Sequence, residues 1–212
     1  MEIRICDDRG AQGFSWIVDE PATRTSHVLA SDGRVWLVDP VRHEPALERV
    51  RGLGEPVAVV QLLDRHNRDC AAVAASLGVP HLVVPDALPV TPFVVVPVRR
   101  AKRWREVALW WPQERTLVVA EAIGTNGFYA PPGHDAGVHL LLRLTPPRDA
   151  LGAFTPEHLL VGHGEGLDGV AAANGLRDAL DHARRGLPRI ALRVPALALD
   201  ATRRRRDGPA DG

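Results

Sequence analysis

The chain has 212 residues, 45% of them hydrophobic and 25% charged, a composition typical of a globular domain and not of a disordered or membrane-spanning chain. Its 26 basic and 26 acidic residues balance, so net charge favours neither nucleic acid nor an anionic membrane as a partner. Two cysteines, Cys6 and Cys70, make no disulfide framework. The first ten residues are charged and lack the apolar segment of a signal peptide. We therefore predict a cytoplasmic protein without nucleic-acid or membrane partners.

The first half of the sequence predicts strands followed by a strand–helix–strand unit. Segments rich in β-branched and aromatic residues indicate strands, and Ser31-Asp32-Gly33 suits a tight hairpin turn. Pro45 fits the first turn of a helix, and Gly78 can close the alanine-rich helix that follows the polar turn. The predicted strands are 14–18, 26–30, 34–38, 57–63 and 79–85, and the predicted helices are 45–54 (or 45–52) and 69–78.

The second half predicts a further group of strands and a final helix. A hairpin turn at 112–115 joins two strands, and a long loop rich in glycine and proline follows at 123–137. The predicted strands are 93–98, 106–111, 116–122 and 158–162, and the predicted helices are 138–144 and 167–185. We predict one domain over residues 1–200, with two packed sheets and helices outside, and a disordered basic tail at 201–212.

Polar motifs stand where the predicted strands end. The third strand ends in Asp39-Pro40, and the nonapeptide LLDRHNRDC (62–70) leaves the next buried strand. The hairpin VALWWPQERTLVVAEA carries Glu121 near its end, and a late strand runs into a histidine between two glycines, His163. In this order and separation the pieces resemble the metallo-β-lactamase superfamily over residues 14–185. The resemblance implies an α/β fold, an αββα sandwich of two mixed β-sheets with helices on the outer faces.

The resemblance also implies positions for metal ligands. Family members build two metal positions from an H-x-H-x-D-H turn, a middle histidine, an acid after the hairpin and a late histidine. The first two histidines fall on Arg65 and Asn67, and the middle one falls near 102–104, where the sequence has no histidine. One metal position is therefore lost. The other retains a nominal zinc set, and a one-residue slide of the turn would add His66. The residues of that set are Asp69, Cys70, Glu121 and His163.

Each candidate also has a simpler interpretation. Asp69 suits the N-cap of a helix, and Cys70 suits a small buried apolar position. Glu121 could pair with Arg65 in place of a metal, and His66 could only bond backbone across the loop. His163 is an even choice between lining a pocket and a structural turn. His134 and His139 flank Asp135 and could form a second site, but a solvated loop is the favoured interpretation.

Two functions follow from these patterns. The first, which we favour, is a protein with a degenerate metal site, non-catalytic or weakly active, whose arginine-lined pocket binds a small anionic molecule or partner without a metal. Its predicted lining is Arg65, His66, Asn67, Arg68 and Arg103. The alternative is a hydrolase that uses one zinc ion in the second metal position to activate water against an ester, thioester or amide-like bond. The sequence assigns no catalytic residue and no oligomeric state.

Overall fold

The structure, a computed structural model, describes residues 2–184 and contains two mixed β-sheets. The first sheet has the order β1-β2-β3-β4-β5-β6. Its strands are antiparallel up to β4, and β4, β5 and β6 run parallel. The strands are β1 (Ile3–Cys6), β2 (Gly13–Val18), β3 (Thr25–Ser31), β4 (Arg34–Val38), β5 (Glu55–Gln61) and β6 (His81–Val83).

The second sheet has five strands, and residues 123–138 contribute a separate, short two-stranded ribbon. Only the central pair, β9 and β12, is parallel. The sheet order is β13-β12-β9-β8-β7, with β7 (Val94–Ala101), β8 (Trp104–Trp111), β9 (Thr116–Val119), β12 (His158–Val161) and β13 (Leu167–Asp168). The ribbon is β10 (Ile123–Gly124) with β11 (Gly137–Val138), and the helices are α1 (Glu44–Leu53), α2 (Cys70–Leu77), α3 (Arg148–Leu151) and α4 (Gly169–His182).

Alternation along the first sheet produces two apolar layers. Because successive side chains of a strand point to opposite faces, Val35 and Leu37 join one buried cluster while Trp36 and Val38 join the other. The first cluster lies under α1 and α2. The second lies between the sheets and continues to α4. Phe93 packs edge-on against Trp36 and Trp111, with ring centroids 4.9 and 5.3 Å apart, and so joins the sheets.

These layers confirm the predicted αββα arrangement. Most predicted strands and the three longer helices are present with shifted ends, and the hairpin at residues 31–34 has positive φ at Asp32 and Gly33, as its tight turn requires. The predicted tail at 201–212 lies outside the described residues. Within the described part of the chain, none of the helices has the length and apolarity needed to cross a bilayer.

The described elements differ from the predicted ones in two places, a strand that was not predicted and a predicted helix that was wrong. The charged segment Ile3–Cys6 forms a strand, because it pairs antiparallel with β2 at the edge of the first sheet. The segment 138–144 does not form a continuous helix. Val138 pairs with Ile123, and only a 3₁₀ turn at Leu140–Leu142 follows.

Candidate functional site

The site lies where parallel strands of both sheets end. In the second sheet Val119 pairs with Val161. Glu121 and His163 each stand two residues beyond that pair, so the register of the sheet brings them together. In the first sheet β4 ends just before Asp39. The backbone N–H of Asp39 donates at 3.0 Å to the carbonyl of Val60, the last residue of β5 that pairs with β4. The turn after β5 carries His66. Ligand sites at the carboxyl ends of parallel strands are common in α/β folds.

Three potential metal ligands converge there. The ligand atoms of His66, Glu121 and His163 all lie within 4.8 Å of one another. His66 Nε2 is 2.7 Å and His163 Nε2 is 3.3 Å from the same carboxylate oxygen, Glu121 Oε2. Among the described residues, His163 Nε2 is buried and has no hydrogen-bond partner. A buried acceptor without a partner is costly, and a bound cation would satisfy it. The residues present therefore fit a metal ion.

The remaining atoms of the two histidines are fixed by other groups. His66 Nδ1–H donates to Asp39 Oδ2 at 2.9 Å, and His163 Nδ1–H donates to the carbonyl of Ala22 at 2.8 Å. Since a carboxylate and a carbonyl only accept, both Nδ1 atoms carry hydrogen. The Nε2 atoms are then the ones able to bind a metal. Such acceptors behind ligating histidines are a usual feature of zinc sites.

The second oxygen of Glu121 is also fixed. Tyr129 O–H donates to Glu121 Oε1 at 2.8 Å, and His139 Nε2 lies 3.3 Å from the same oxygen. His139 Nδ1 accepts from the backbone N–H of Leu141 at 3.2 Å, so the proton of the neutral ring is on Nε2 and faces Glu121. Oε1 is therefore occupied by donors, and Oε2 remains directed at the two imidazoles.

Without a cation, the group is an ion-paired chain. Burial and Arg68 act to lower the pKa of His66, but the carboxylates of Asp39 and Glu121 outweigh them and raise it. Burial would raise the pKa of Glu121, yet the imidazoles of His163 and His66 beside its carboxylate hold it well below its usual range. His66 thus directs each ring nitrogen at a carboxylate, Nδ1 at Asp39 and Nε2 at Glu121. A metal at Nε2 would displace any proton held there.

A second glutamate supports the first from behind. Glu106 is fully buried, and its Oε1 accepts from the backbone N–H groups of Glu121 and Ala122, both at 2.8 Å. Its Oε2 accepts from Trp104 Nε1 at 2.7 Å. Burial raises the pKa of Glu106. The three donors fix the backbone that carries Glu121.

Arginines surround the site but do not occupy it. A cavity of about 280 Å³ is lined by Arg24, Arg65, His66, Arg68, Glu121 and His163. The Arg65 guanidinium stacks 4.1 Å from the Trp104 ring and donates to the carbonyl of Arg103 at 2.7 Å. The alternative in which it pairs with Glu121 is therefore wrong. Arg24 is ion-paired with Glu20.

Arg68 has a structural part below the site. At φ of 40° it turns its side chain inward, where the guanidinium donates to backbone carbonyls of Thr25, Asp39 and Gly162 at 2.5, 2.8 and 2.9 Å. These carbonyls come from both sheets. One buried cation therefore ties together the strand ends that position the candidate ligands.

The structure does not bring Asp69 and Cys70 to the three ligands. Asp69 stands at the N-cap position of α2, but its carboxylate accepts from the backbone N–H of Arg42 at 2.8 Å and makes no cap bond. Cys70 is fully buried in the cluster under α1 and α2, its thiol directed at the carbonyl of His66 at 3.5 Å. Burial raises the pKa of that thiol, which disfavours the thiolate that metals bind.

The predicted pocket lining is divided in the same way. Arg65, His66 and Arg68 line the cavity. Asn67 and Arg103 lie outside that lining. Asn67 Oδ1 accepts from Gln61 Nε2 at 3.3 Å, and Arg103 contributes its backbone carbonyl to Arg65.

Four residues that complete the site were not assigned a role from sequence. Asp39 ends a strand in the quoted motif. Glu106 lies two residues from Trp104 on the same, buried face of its strand, so a charged residue at an inward position was a signal that the sequence offered. Tyr129 lies in the long loop, and its position there gives no signal. His139 was considered only beside Asp135 and not with Glu121.

Searches of known proteins agree with this geometry at the level of the fold. No protein-family model matches the sequence, and no curated protein matches it. Solved structures do. The DIM-1 metallo-β-lactamase is 13% identical, with a TM-score of 0.52, over 86% of this chain and 98% of that one. The chain has the metallo-β-lactamase fold.

Two further structures with this fold come from named organisms. The metallo-β-lactamase from Hirschia baltica is 9% identical, with a TM-score of 0.57, over 85% of this chain and 98% of that one. The one from Erythrobacter litoralis is 12% identical, with the same TM-score, over 85% and 93% of the two chains. At such identity the likeness extends to the fold and not to the reaction.

Proposed function

We propose that this metallo-β-lactamase-fold protein is a hydrolase that uses a single divalent metal of the zinc class, held by His66, Glu121 and His163. The observation that carries the proposal is the convergence of the two Nε2 atoms on Glu121 Oε2, with every other ring or carboxylate atom already bonded elsewhere. Two histidines and a glutamate leave one tetrahedral position open, as catalytic zinc sites require.

A cation held by these atoms would supply Lewis-acid activation of water and of a substrate carbonyl oxygen. The residues of the chain do the rest. Asp39 and the carbonyl of Ala22 hold the imidazoles in the binding tautomer. Tyr129 and His139 hold Glu121 to one ligating oxygen.

The cavity favours a substrate with a negative group near the reacting bond. Arg65 is exposed, and the hydrogen bond described for it goes to an uncharged carbonyl, so its charge remains available at the rim. Arg68 adds a buried positive charge below. An ester, thioester or amide-like substrate that carries a carboxylate suits this field.

Metal content and activity test the proposal together. The purified chain should hold metal by elemental analysis, and His66→Ala/His163→Ala should lose one equivalent together with hydrolysis of a p-nitrophenyl ester. Arg65→Ala should raise KM about fivefold for p-nitrophenyl succinate, since an exposed charge pair contributes about 1 kcal/mol, and leave p-nitrophenyl acetate unchanged. The proposal is refuted if the unsubstituted chain holds no metal at this site, or if the double variant hydrolyses the ester as fast as the unsubstituted chain does.

A metal-free anion-binding function is the second candidate. It is favoured by the contacts of His66 with both carboxylates, which compensate part of their charge without a metal, and by the charge of Arg65 at the cavity rim. A thermal-shift screen separates the two candidates. If succinate or phosphate raises the melting temperature, zinc does not, and Arg65→Ala abolishes the shift, this second function is the correct one.

A further inference from the structure

A second group of metal-binding side chains lies outside the cavity. Asp178 and His182 are four residues apart on α4 and so share one face of the helix. His134 comes from the loop 125–136 that joins β10 to β11. The ligand atoms of the three residues all lie within 4.8 Å of one another. This group therefore joins a loop to a helix through side chains that metals prefer.

The contacts in the group place the carboxylate between the rings. His134 Nδ1 contacts one oxygen of Asp178, and His182 Nδ1 contacts the other. The two ring centroids are 5.6 Å apart. All three side chains are about one-third exposed, which leaves an entry path for an ion.

The loop and α4 pack side by side near the group. Gly175, one turn before Asp178, faces the loop, and an added Cβ would make ordinary contacts there, 3.7 Å from Ala136 Cβ and 3.8 Å from Asp135 Cβ. The same Cβ would clash with Leu167 Cδ1 at 2.7 Å. The loop residues next to His134 therefore pack against α4, beside the face that carries the other two ligands.

We propose that His134, Asp178 and His182 form a second site for a zinc-class ion, separate from the proposed catalytic site. Two imidazoles and one carboxylate suit zinc, copper or nickel, whereas calcium and magnesium prefer oxygen ligands. Three protein ligands leave the remaining coordination to water. On binding, the ion takes the place of the proton on each Nδ1, and the ring proton passes through solvent to Nε2, so each imidazole stays neutral.

The consequence of this site is control of the loop. The loop carries Tyr129, whose hydroxyl holds Glu121, and His139 follows directly after β11. An ion that fixes His134 to α4 would restrict the motion of the loop 125–136 between β10 and β11. Metal at the second site therefore orders the residues that position Glu121, and does so without touching the substrate.

Zinc stoichiometry tests this site separately from the first. The unsubstituted chain should bind two equivalents in a titration against a chromophoric chelator. His134→Gln/His182→Gln should lose one equivalent and keep the other, and His66→Ala/His163→Ala should do the reverse. In the His66→Ala/His163→Ala background, zinc bound at the second site should also slow backbone hydrogen exchange across 125–136 by at least fivefold.

The matched control is His158→Gln. His158 lies 2.6 Å from Asp168 in another partly exposed histidine–aspartate pair, and this pair belongs to neither three-ligand group. The control should bind both equivalents. Asp178→Asn, which keeps the shape of the side chain, should lose the second equivalent while melting as the unsubstituted metal-free chain does. The proposal fails if the His66→Ala/His163→Ala chain binds no zinc, or if the second equivalent persists in Asp178→Asn.

Discussion

Replacement of Asp39 by asparagine tests the chemistry of the first site most directly. Asp39 is buried, with Oδ1 accepting from the backbone N–H of Leu62 at 3.0 Å and Oδ2 accepting from His66 Nδ1 at 2.9 Å. Asparagine keeps the shape, tolerates the positive φ of 45° at this position, and can still accept from Leu62 through its amide oxygen. Its NH₂ group then faces His66 Nδ1.

The expected loss follows from the tautomer. Facing a donor, His66 Nδ1 must accept, so the ring proton moves to Nε2, the atom that would bind the metal. Removal of such an orienting group typically costs 10- to 100-fold in metal affinity. We expect the same here, equivalent to about 1.4–2.7 kcal/mol of binding free energy.

The assay is a zinc titration against a chromophoric chelator, in an Asp178→Asn background that silences the second site. Asp69→Asn is the control. It makes the same chemical change at a carboxylate that accepts only from the backbone of Arg42, and the amide oxygen can accept in its place. An unchanged dissociation constant in Asp39→Asn would refute the tautomer argument. An equal or larger loss in Asp69→Asn would favour the ligand set predicted from sequence.

Three further predictions concern the surroundings of the site. Burial lowers the pKa of His27 to about 3, below the unfolded value near 6.5, so its contribution to stability is complete above pH 6.5 and is lost as the pH falls. At pH 5 the loss is about 2 kcal/mol of unfolding free energy. The difference between the urea midpoints at pH 7 and pH 5 should therefore be smaller in His27→Gln than in the unsubstituted chain. Glu106→Gln turns an NH₂ group toward another donor, either the Trp104 Nε1–H or the backbone N–H of Glu121, and should cost about 1–3 kcal/mol of unfolding free energy in urea. An unchanged urea midpoint would contradict the hydrogen bonds described for Glu106. Tyr129→Phe removes one donor from Glu121 and should weaken zinc binding about tenfold in the chelator titration, with an unaltered midpoint for the metal-free chain.

Strand patterns predicted the fold well because several strands, among them β2, β3, β4 and β9, are buried on both faces. The sequence shows this as continuous apolar runs, and the order of motifs then gave the sandwich. The ends of elements were less certain. Ile3–Cys6 forms a strand because it pairs with β2, and the residue pattern within the segment itself does not indicate that pairing.

The turn after β5 shows why the site was only partly predicted. His66 and Asp69 are three residues apart in this turn, and the structure directs His66 to Glu121 and Asp69 to the backbone of Arg42. Arg68, between them, has a positive φ, and no local sequence rule demands that conformation of an arginine. The paired ends of β9 and β12, by contrast, fix Glu121 and His163 beside each other, and both were predicted from the motifs.

The three carbonyls held by Arg68 have a consequence for how the protein should respond to metal supply. A permanent charge fixed at the floor repels any additional cation entering the cavity, so a neighbouring ion cannot assist the first. In the Asp178→Asn background, where the second site is silenced, activity should therefore rise hyperbolically with free zinc, with a Hill coefficient of one.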